Sequence, residues 1–316
     1  MKAFQKTGRA DFPHDHLLGI GELSAQDVTN ILDLADYYAD HLDDRSYTQD
    51  ILKGAVILTL FFEHSTRTAT SFEIAAKRLG AEIVNWNPET SSLKKGESFA
   101  DTILTLDAMK PDAIIIRHSE YNAPGYVAKR VSCPVINAGD SWREHPTQAL
   151  LDALTMRRHF KKLEGLTVSI VGDIAHSRVA SSNMILLTKM GANVRVIAPA
   201  LLMPEKLPAD GVQKFESMKD GLTGADVVMT IRPQKERMAK VEIEDETYYR
   251  DYGMTHEQLA HAKNTAILLD PGPYLRNVQI SDALADDKTR FLYAEQVHNG
   301  VATRMAVLDL LLKGKF

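Results

Sequence analysis

The sequence predicts an α/β fold of two domains, each a mostly parallel sheet flanked by helices, the two joined by interdomain helices. Three observations carry this expectation. The chain has 316 residues, enough for two compact cores of roughly 150 residues each. Short runs of continuously apolar residues recur along it, as in strands buried on both faces of a sheet. Between those runs lie segments of helical spacing that close on glycine.

The first run is AVILTLFF at 55–62, followed by the loop EHSTRT, the helical ATSFEIAAKRLG and a second run, AEIVNWN. Phe72, Ala75, Ala76 and Leu79 fall at helical spacing, and Gly80 stands where a left-handed C-terminal cap belongs. DAIIIRH at 112–118 and CPVINAG at 133–139 supply two more strands. HPTQALLDALTMRRHF at 145–160 then reads as a helix, with Pro146 in its first turn, that leads from one sheet to the next. The pattern restarts with LTVSIVG at 166–172, the helical VASSNMILLTKMG and NVRVIAP, and continues through ADVVMTI at 225–231 and TAILLD at 265–270. Two Rossmann-like domains follow, 1–145 and 146–295, and the amphipathic pattern at 296–314 marks a last helix expected to return to the first domain.

Composition narrows the function. Hydrophobic residues make up 44% and charged residues 25%, with a net charge of -5, so no surface for nucleic acid is expected. Cys133 is the only cysteine, which excludes an internal disulfide and a cysteine-rich metal site and fits a reducing cytoplasm. The first twenty residues lack the apolar core of a secretory signal, and no apolar run approaches the ~20 residues of a membrane span.

Ligands of open α/β sheets bind beyond the carboxyl ends of the strands, so the residues there are the candidates. After the first strand come Ser65, Thr66, Arg67 and Thr68: hydroxyls, helix-start N–H groups and a guanidinium, a set suited to phosphate. Ser65 or Thr66 acting as a plain helix cap is the simpler alternative. Arg117 and His118 end another strand, where a solvated strand end competes with a role in a crevice. His145 and Gln148, three apart at a helix start, face the same side; a neutral imidazole there could donate to a carbonyl and the amide could hold an amino group. Arg178, Arg232 and Gln234 follow two strands of the second half. Asp270, Pro271, Gly272 and Pro273 form a turn with few N–H groups, and Ser91 to Ser98 form a polar loop carrying Lys94 and Lys95. This clustering of cations in an acidic chain suits a small, multiply anionic substrate. A GxxxxGK[ST] loop, a GxGxxG turn, a GxSxG elbow and an HExxH helix are all absent. With no obvious covalent nucleophile or metal site, catalysis is expected to rest on orientation and electrostatics.

In order along the chain, STRT with SFE, KKGES with ADTI, IIIRH, NAGD with HPTQALLD, GDIAHSRVA, RPQKERM, PGP and QVHNGVATRMAVL resemble the aspartate/ornithine carbamoyltransferase superfamily, and within it the catalytic chains acting on aspartate. The resemblance implies a homotrimer with active sites between subunits, a carbamoyl-phosphate domain first and an aspartate domain second, and a reaction that needs no cofactor. It implies that Ser65, Thr66, Arg67 and Thr68 hold the phosphate, that Arg117 and His145 contact the carbonyl oxygen and Gln148 the amino nitrogen. The Pro271–Gly272–Pro273 turn would accept from the same amine. Arg178, Arg232 and Gln234 would bind aspartate, with Ser91 and Lys95 reaching in from a neighbouring subunit. A regulatory chain or a dihydroorotase is a compatible further partner. Ornithine-specific members usually carry a cysteine in HPxQ and a His-Cys-Leu-Pro turn, where this chain has HPTQ and DPGP. Ala69, Ser141, Pro233, Asp270, Leu275 and Asn277 depart from the common pattern. Asp270 opposes an anionic substrate by its charge, which leaves a catalytically weak binding or assembly subunit as the second reading.

Overall fold

The computed structural model describes residues 12–44, 46–63, 65–88, 91, 95–237, 243–312 and 314. Lys94 lies outside these residues.

The apolar runs form two parallel sheets. The first contains β1 (Val56–Phe61), β2 (Glu82–Trp86), β3 (Ala113–His118) and β4 (Val135–Asp140), in the order β2-β1-β3-β4. The second contains β5 (Thr167–Gly172), β6 (Asn193–Ile197), β7 (Gln213–Phe215), β8 (Val227–Ile231) and β9 (Ile267–Leu269), in the order β7-β6-β5-β8-β9. Every named pair is parallel, and β1 and β3 of the first sheet and β6, β5 and β8 of the second occupy the inner positions. Ile114, Ile115 and Ile116 of β3 are all fully buried, as a strand covered on both faces requires. In each sheet the strand order reverses once, between β1 and β3 and between β5 and β8. Those reversals open the crevices where such folds bind ligands.

Helices α1 (Ala25–His41), α2 (Thr66–Arg78), α3 (Phe99–Ala108), α4 (Ala123–Ala128) and α5 (Pro146–Phe160) belong to the first half of the chain. The second half supplies α6 (Arg178–Lys189), α7 (Met218–Leu222), α8 (Asp245–Tyr252), α9 (His256–Leu259), α10 (Asp282–Ala285) and α11 (Tyr293–Leu312). The short edge strand β7 and helix α1 were not among the sequence expectations. α1 nevertheless carries a capping box in its sequence: Asp27 N–H donates to Ser24 Oγ at 3.1 Å and Ser24 N–H to Asp27 Oδ2 at 2.8 Å. Val28, Ile31, Leu32 and Ala35 form its buried stripe, each branched side chain contributing roughly 1.5–3 kcal/mol on burial.

The last helix differs from the amphipathic expectation. Met305, Ala306, Val307, Leu308 and Asp309 are consecutive and all buried, so the second half of α11 is enclosed on every side, while Glu295 and Val297 near its start are exposed. It packs on α1 and α2 of the first unit and on α5. Tyr38 of α1 donates to the buried Asp309 Oδ2 at 2.6 Å. Residues 146–156 of α5 are likewise all buried. One apolar core therefore runs from the first sheet through α5 and α11 into the second. Among the described residues no helix is long and apolar enough to cross a membrane.

Candidate active site

The carboxyl ends of β1, β3 and β4 in the first sheet and of β5, β8 and β9 in the second face one cleft of about 790 Å³. Three helix starts point at it: α2, α5 and α6, with Ser65, His145 and Ser177 at their N-cap positions, of which, among the described residues, Ser177 alone accepts a cap bond, from Ala180 N–H. Such N-termini carry free N–H groups and partial positive charge, a standing preference for anions.

At α2 the plain-cap alternative does not hold for Ser65, whose side chain accepts no cap hydrogen bond among the described residues. Instead Arg117 Nη1 donates to Ser65 Oγ at 3.3 Å. Thr66 and Arg67 are exposed to the cleft, while Thr68 is buried beside His145, with Oγ1 and Nε2 3.4 Å apart. Strand alternation divides the pair that ends β3. Arg117 lines the cleft, whereas His118 packs its ring against Phe62 and Phe99 and accepts from Glu120 N–H at 2.9 Å.

His145 donates its backbone N–H to Ser182 Oγ at 2.9 Å, and its Nδ1 is buried with no partner among the described residues. Burial, and then the charges of Arg117, Arg304 and Arg178, hold the imidazole far below its usual pKa, so it is neutral. Gln148, one turn on, donates Nε2 to Asp152 Oδ1 at 2.9 Å.

On the far wall, Arg178 lies against Gly139. A Cβ there would stand 3.0 Å from Arg178 Nε, and Gly139 has φ +116, so glycine serves both the backbone and the approach. Arg178 Nη2 pairs with Glu63 at 2.7 Å, while its Nη1 is buried without a partner among the described residues. Glu63 also meets Arg117 Nε at 3.3 Å and Arg237 Nη2 at 3.8 Å. Burial raises the Glu63 pKa, but Arg178, Arg117 and Arg237 outweigh it and hold the carboxylate ionised. Burial, with Arg178 close by, pulls Arg117 down to about 9. Arg232 and Gln234 line the same wall after β8, and Gln234 N–H donates to Asp173 Oδ2 at 2.9 Å.

The Pro271–Gly272–Pro273 turn closes the cleft after β9. Asp270 does not point its charge freely at a ligand: it is 2% exposed and accepts from Thr230 Oγ1 at 2.7 Å, from Gly272 N–H at 2.6 Å and from Gln279 Nε2. Burial pushes its carboxyl up to about 7. The departure from the common pattern is thus absorbed into the turn's own hydrogen bonding.

Of the residues expected from sequence, Ser65, Thr66, Arg67, Thr68, Arg117, His145, Gln148, Arg178, Arg232, Gln234, Pro271 and Gly272 come together here. Ser91 and Lys95 do not line this cleft in the single chain, and Lys95 is exposed. Glu63, Arg237 and Arg304 line it without having been singled out. Each left a trace: Glu63 ends an apolar strand, Arg237 follows the Arg232 segment, and Arg304 interrupts an apolar helix.

An arginine-rich anion cleft shared by two doubly wound sheets defines a transferase-like site for small anions. Residues 15–158 match the family model described as aspartate/ornithine carbamoyltransferase, carbamoyl-P binding domain; residues 164–311 match its Asp/Orn binding domain. The aspartate carbamoyltransferase catalytic subunits of Parvibaculum lavamentivorans and Rhodospirillum centenum are each 52% identical, covering 98% and 96% of this chain and 95% and 96% of their own. Aspartate transcarbamoylase from Trypanosoma cruzi in complex with carbamoyl phosphate superimposes with a TM-score of 0.84 at 30% identity, over 94% of this chain and 96% of its own. The ornithine carbamoyltransferase of Pyrococcus furiosus also reaches 0.84, at 27% identity, over 95% and 97%. The chain belongs to the aspartate/ornithine carbamoyltransferase family.

Proposed function

We propose that this chain transfers the carbamoyl group of carbamoyl phosphate to the α-amine of L-aspartate, giving N-carbamoyl-L-aspartate and phosphate for pyrimidine synthesis. The observation that carries this reading is the convergence of Arg67, Arg117, Arg178 and Arg232 on one cleft with a neutral His145 among them. The fold does not choose between amines, since aspartate and ornithine enzymes superimpose on it equally well. Charge chooses. A cationic ornithine side chain is repelled by the second-domain arginines, whereas aspartate brings two carboxylates to them. The names of the relatives near 50% identity agree.

In this reading 1–145, with α11 packed on it, binds carbamoyl phosphate, and 146–295 binds aspartate. Ser65, Thr66, Arg67 and Thr68 cradle the phosphate at the start of α2. Arg117, Thr68 and neutral His145 donate to the carbonyl oxygen. When the amine attacks the carbamoyl carbon, negative charge builds on that oxygen, and each such donor is worth ~2.7–4 kcal/mol in the transition state. The C–O bond to phosphate then breaks, and phosphate leaves with the amine proton. Gln148 and the carbonyls of the Pro271–Pro273 turn accept from the carbamoyl –NH2. Arg178, Arg232 and Gln234 hold the aspartate carboxylates.

Lys95 and Ser91 act in a homotrimer, from the neighbouring subunit; their absence from this chain's own cleft supports that placement. A single cysteine fits a cytoplasmic setting. The buried, fully bonded Asp270 speaks for an active enzyme over a weak assembly subunit. Thermal denaturation tests the binding part: carbamoyl phosphate should raise the melting temperature alone, and aspartate should add to it. An aspartate effect of equal size without carbamoyl phosphate would contradict the ordered site.

A further inference from the structure

The carboxylate of Asp152 is fully buried beneath the cleft and accepts from three side-chain amides. Gln148 Nε2 lies at 2.9 Å, Gln296 Nε2 at 2.7 Å and Asn183 Nδ2 at 2.8 Å. An ionised carboxylate only accepts, so it dictates which end of each amide faces it. The nitrogen of Gln148 must turn to Asp152, which leaves its oxygen as the end presented to the cleft that Gln148 lines. Gln296 is fixed at both ends. Its nitrogen meets Asp152, and its oxygen accepts from Asp270 N–H at 3.0 Å, at the entry to the Pro271–Pro273 turn.

We infer that Asp152 is the positioning residue for the carbamoyl –NH2: through Gln148 directly, and through Gln296 and the turn, it registers both acceptors that select a carbamoyl over an acetyl group. Without that carboxylate the Gln148 amide turns over at little cost, and its N–H groups then face the donor –NH2. A methyl group in the same place has no hydrogen bond to lose. The inference rests on the proposed contact of Gln148 with the carbamoyl nitrogen.

Arg304 offers a competing role for Asp152. It is buried, donates Nη1 to Gly300 O at 3.0 Å, and favours the charged form of Asp152. Were Asp152 present only as its counter-charge, any neutral substitute would act alike. Asp152→Asn separates the two roles. Its oxygen still accepts from Gln148 and Gln296, while Asn183 gives up its 3.1 Å donation to Val179 O and turns its amide to offer Oδ1, unpartnered among the described residues, to the new –NH2.

The test measures dissociation constants of carbamoyl phosphate and acetyl phosphate on the full chain in its native assembly. Wild type should prefer carbamoyl phosphate, and Asp152→Ala should lower that preference by about tenfold, the effect of one or two hydrogen bonds. Asp152→Asn should keep the preference within about twofold, as expected when the accepting geometry survives. Melting curves establish folding, and Asp152→Ser carries the same expectation as alanine if the alanine variant does not fold. A wild-type preference in Asp152→Ala, or an equal loss in Asp152→Asn and Asp152→Ala, would overturn the inference. Gln148→Leu is the separate control. If it leaves the preference intact, the contact assigned to Gln148 is wrong; if it abolishes the preference while the alanine variant does not, only the role of Asp152 fails.

Discussion

Glu63 Oε2 stands 2.7 Å from Arg178 Nη2, tying the loop after β1 of the first sheet to the first turn of α6 beside the second. The bond crosses between the two halves of the cleft. The opposite nitrogen of Arg178, Nη1, is buried without a partner among the described residues. Arg117 and Arg237 share the same anion, so a cluster of three cations is held by one carboxylate.

Replacing Glu63 by alanine should therefore loosen the aspartate side first. Three buried or half-buried guanidiniums would repel one another, and Arg178 would lose its aim. The KM for aspartate should rise by at least about tenfold, the equivalent of ~1.4 kcal/mol, with a smaller change for carbamoyl phosphate. Steady-state kinetics in both substrates decide this.

His145→Ala should lower kcat by about 10²–10³, the cost of one donor to a developing oxyanion. Because burial and the surrounding arginines keep the imidazole far below its usual pKa, its neutral form persists across the working range. The pH–rate profile of wild type should then show no inflection from this residue near 6.5, the ordinary imidazole value. An inflection there that disappears in His145→Gln would contradict its neutrality.

Asp270 gives stability a pH dependence of definite sign. Its folded pKa is raised to about 7, against an unfolded value near 3.9. The folded state then holds the extra proton, so the contribution is complete below about pH 4 and is lost as pH rises through 7. Asp152, raised to about 6, titrates in the same direction. Asp270→Asn should remove the upper part of this slope, a difference of up to ~4 kcal/mol between pH 4 and 9. Denaturant melts of both proteins across that range measure it.

Gly139→Ala combines two faults at one atom. The new Cβ meets Arg178 Nε at 3.0 Å, and the φ of +116 is one that residues with a Cβ avoid. A loss of ~1–3 kcal/mol in stability is expected from the backbone alone, together with weaker aspartate binding from the displaced guanidinium. Alanine at Gly165, where φ is +73 and nothing lies within 4 Å, is the control for backbone strain without the contact.

The fold was largely legible because strands such as β1, β3, β5 and β8 are mostly buried and so appear as apolar runs, although β2 at a sheet edge is largely exposed. Eight of the nine strands among the described residues stood out in the sequence as β-like runs, and β7, three residues long at a sheet edge, did not. α1 was missed despite its capping box, since Ser24 and Asp27 are modest signals beside the apolar strands. The Ser65–Thr68 turn and the His145–Gln148 pair could be placed because each follows a strand or starts a helix. Glu63 could not. A lone glutamate acquires meaning only when folding brings Arg117, Arg178 and Arg237 around it from three separate segments. The charge of Asp270 misled for the same reason: Gln279, nine residues away, and Thr230, forty residues away, take up its oxygens.

The measurement closest to the central claim is turnover by the purified chain with carbamoyl phosphate and either aspartate or ornithine. Ureido product with aspartate, lost in Arg232→Ala and not gained with ornithine, is the expected result. Turnover with ornithine instead, or with neither amine from a folded protein that still binds carbamoyl phosphate, would contradict the assignment.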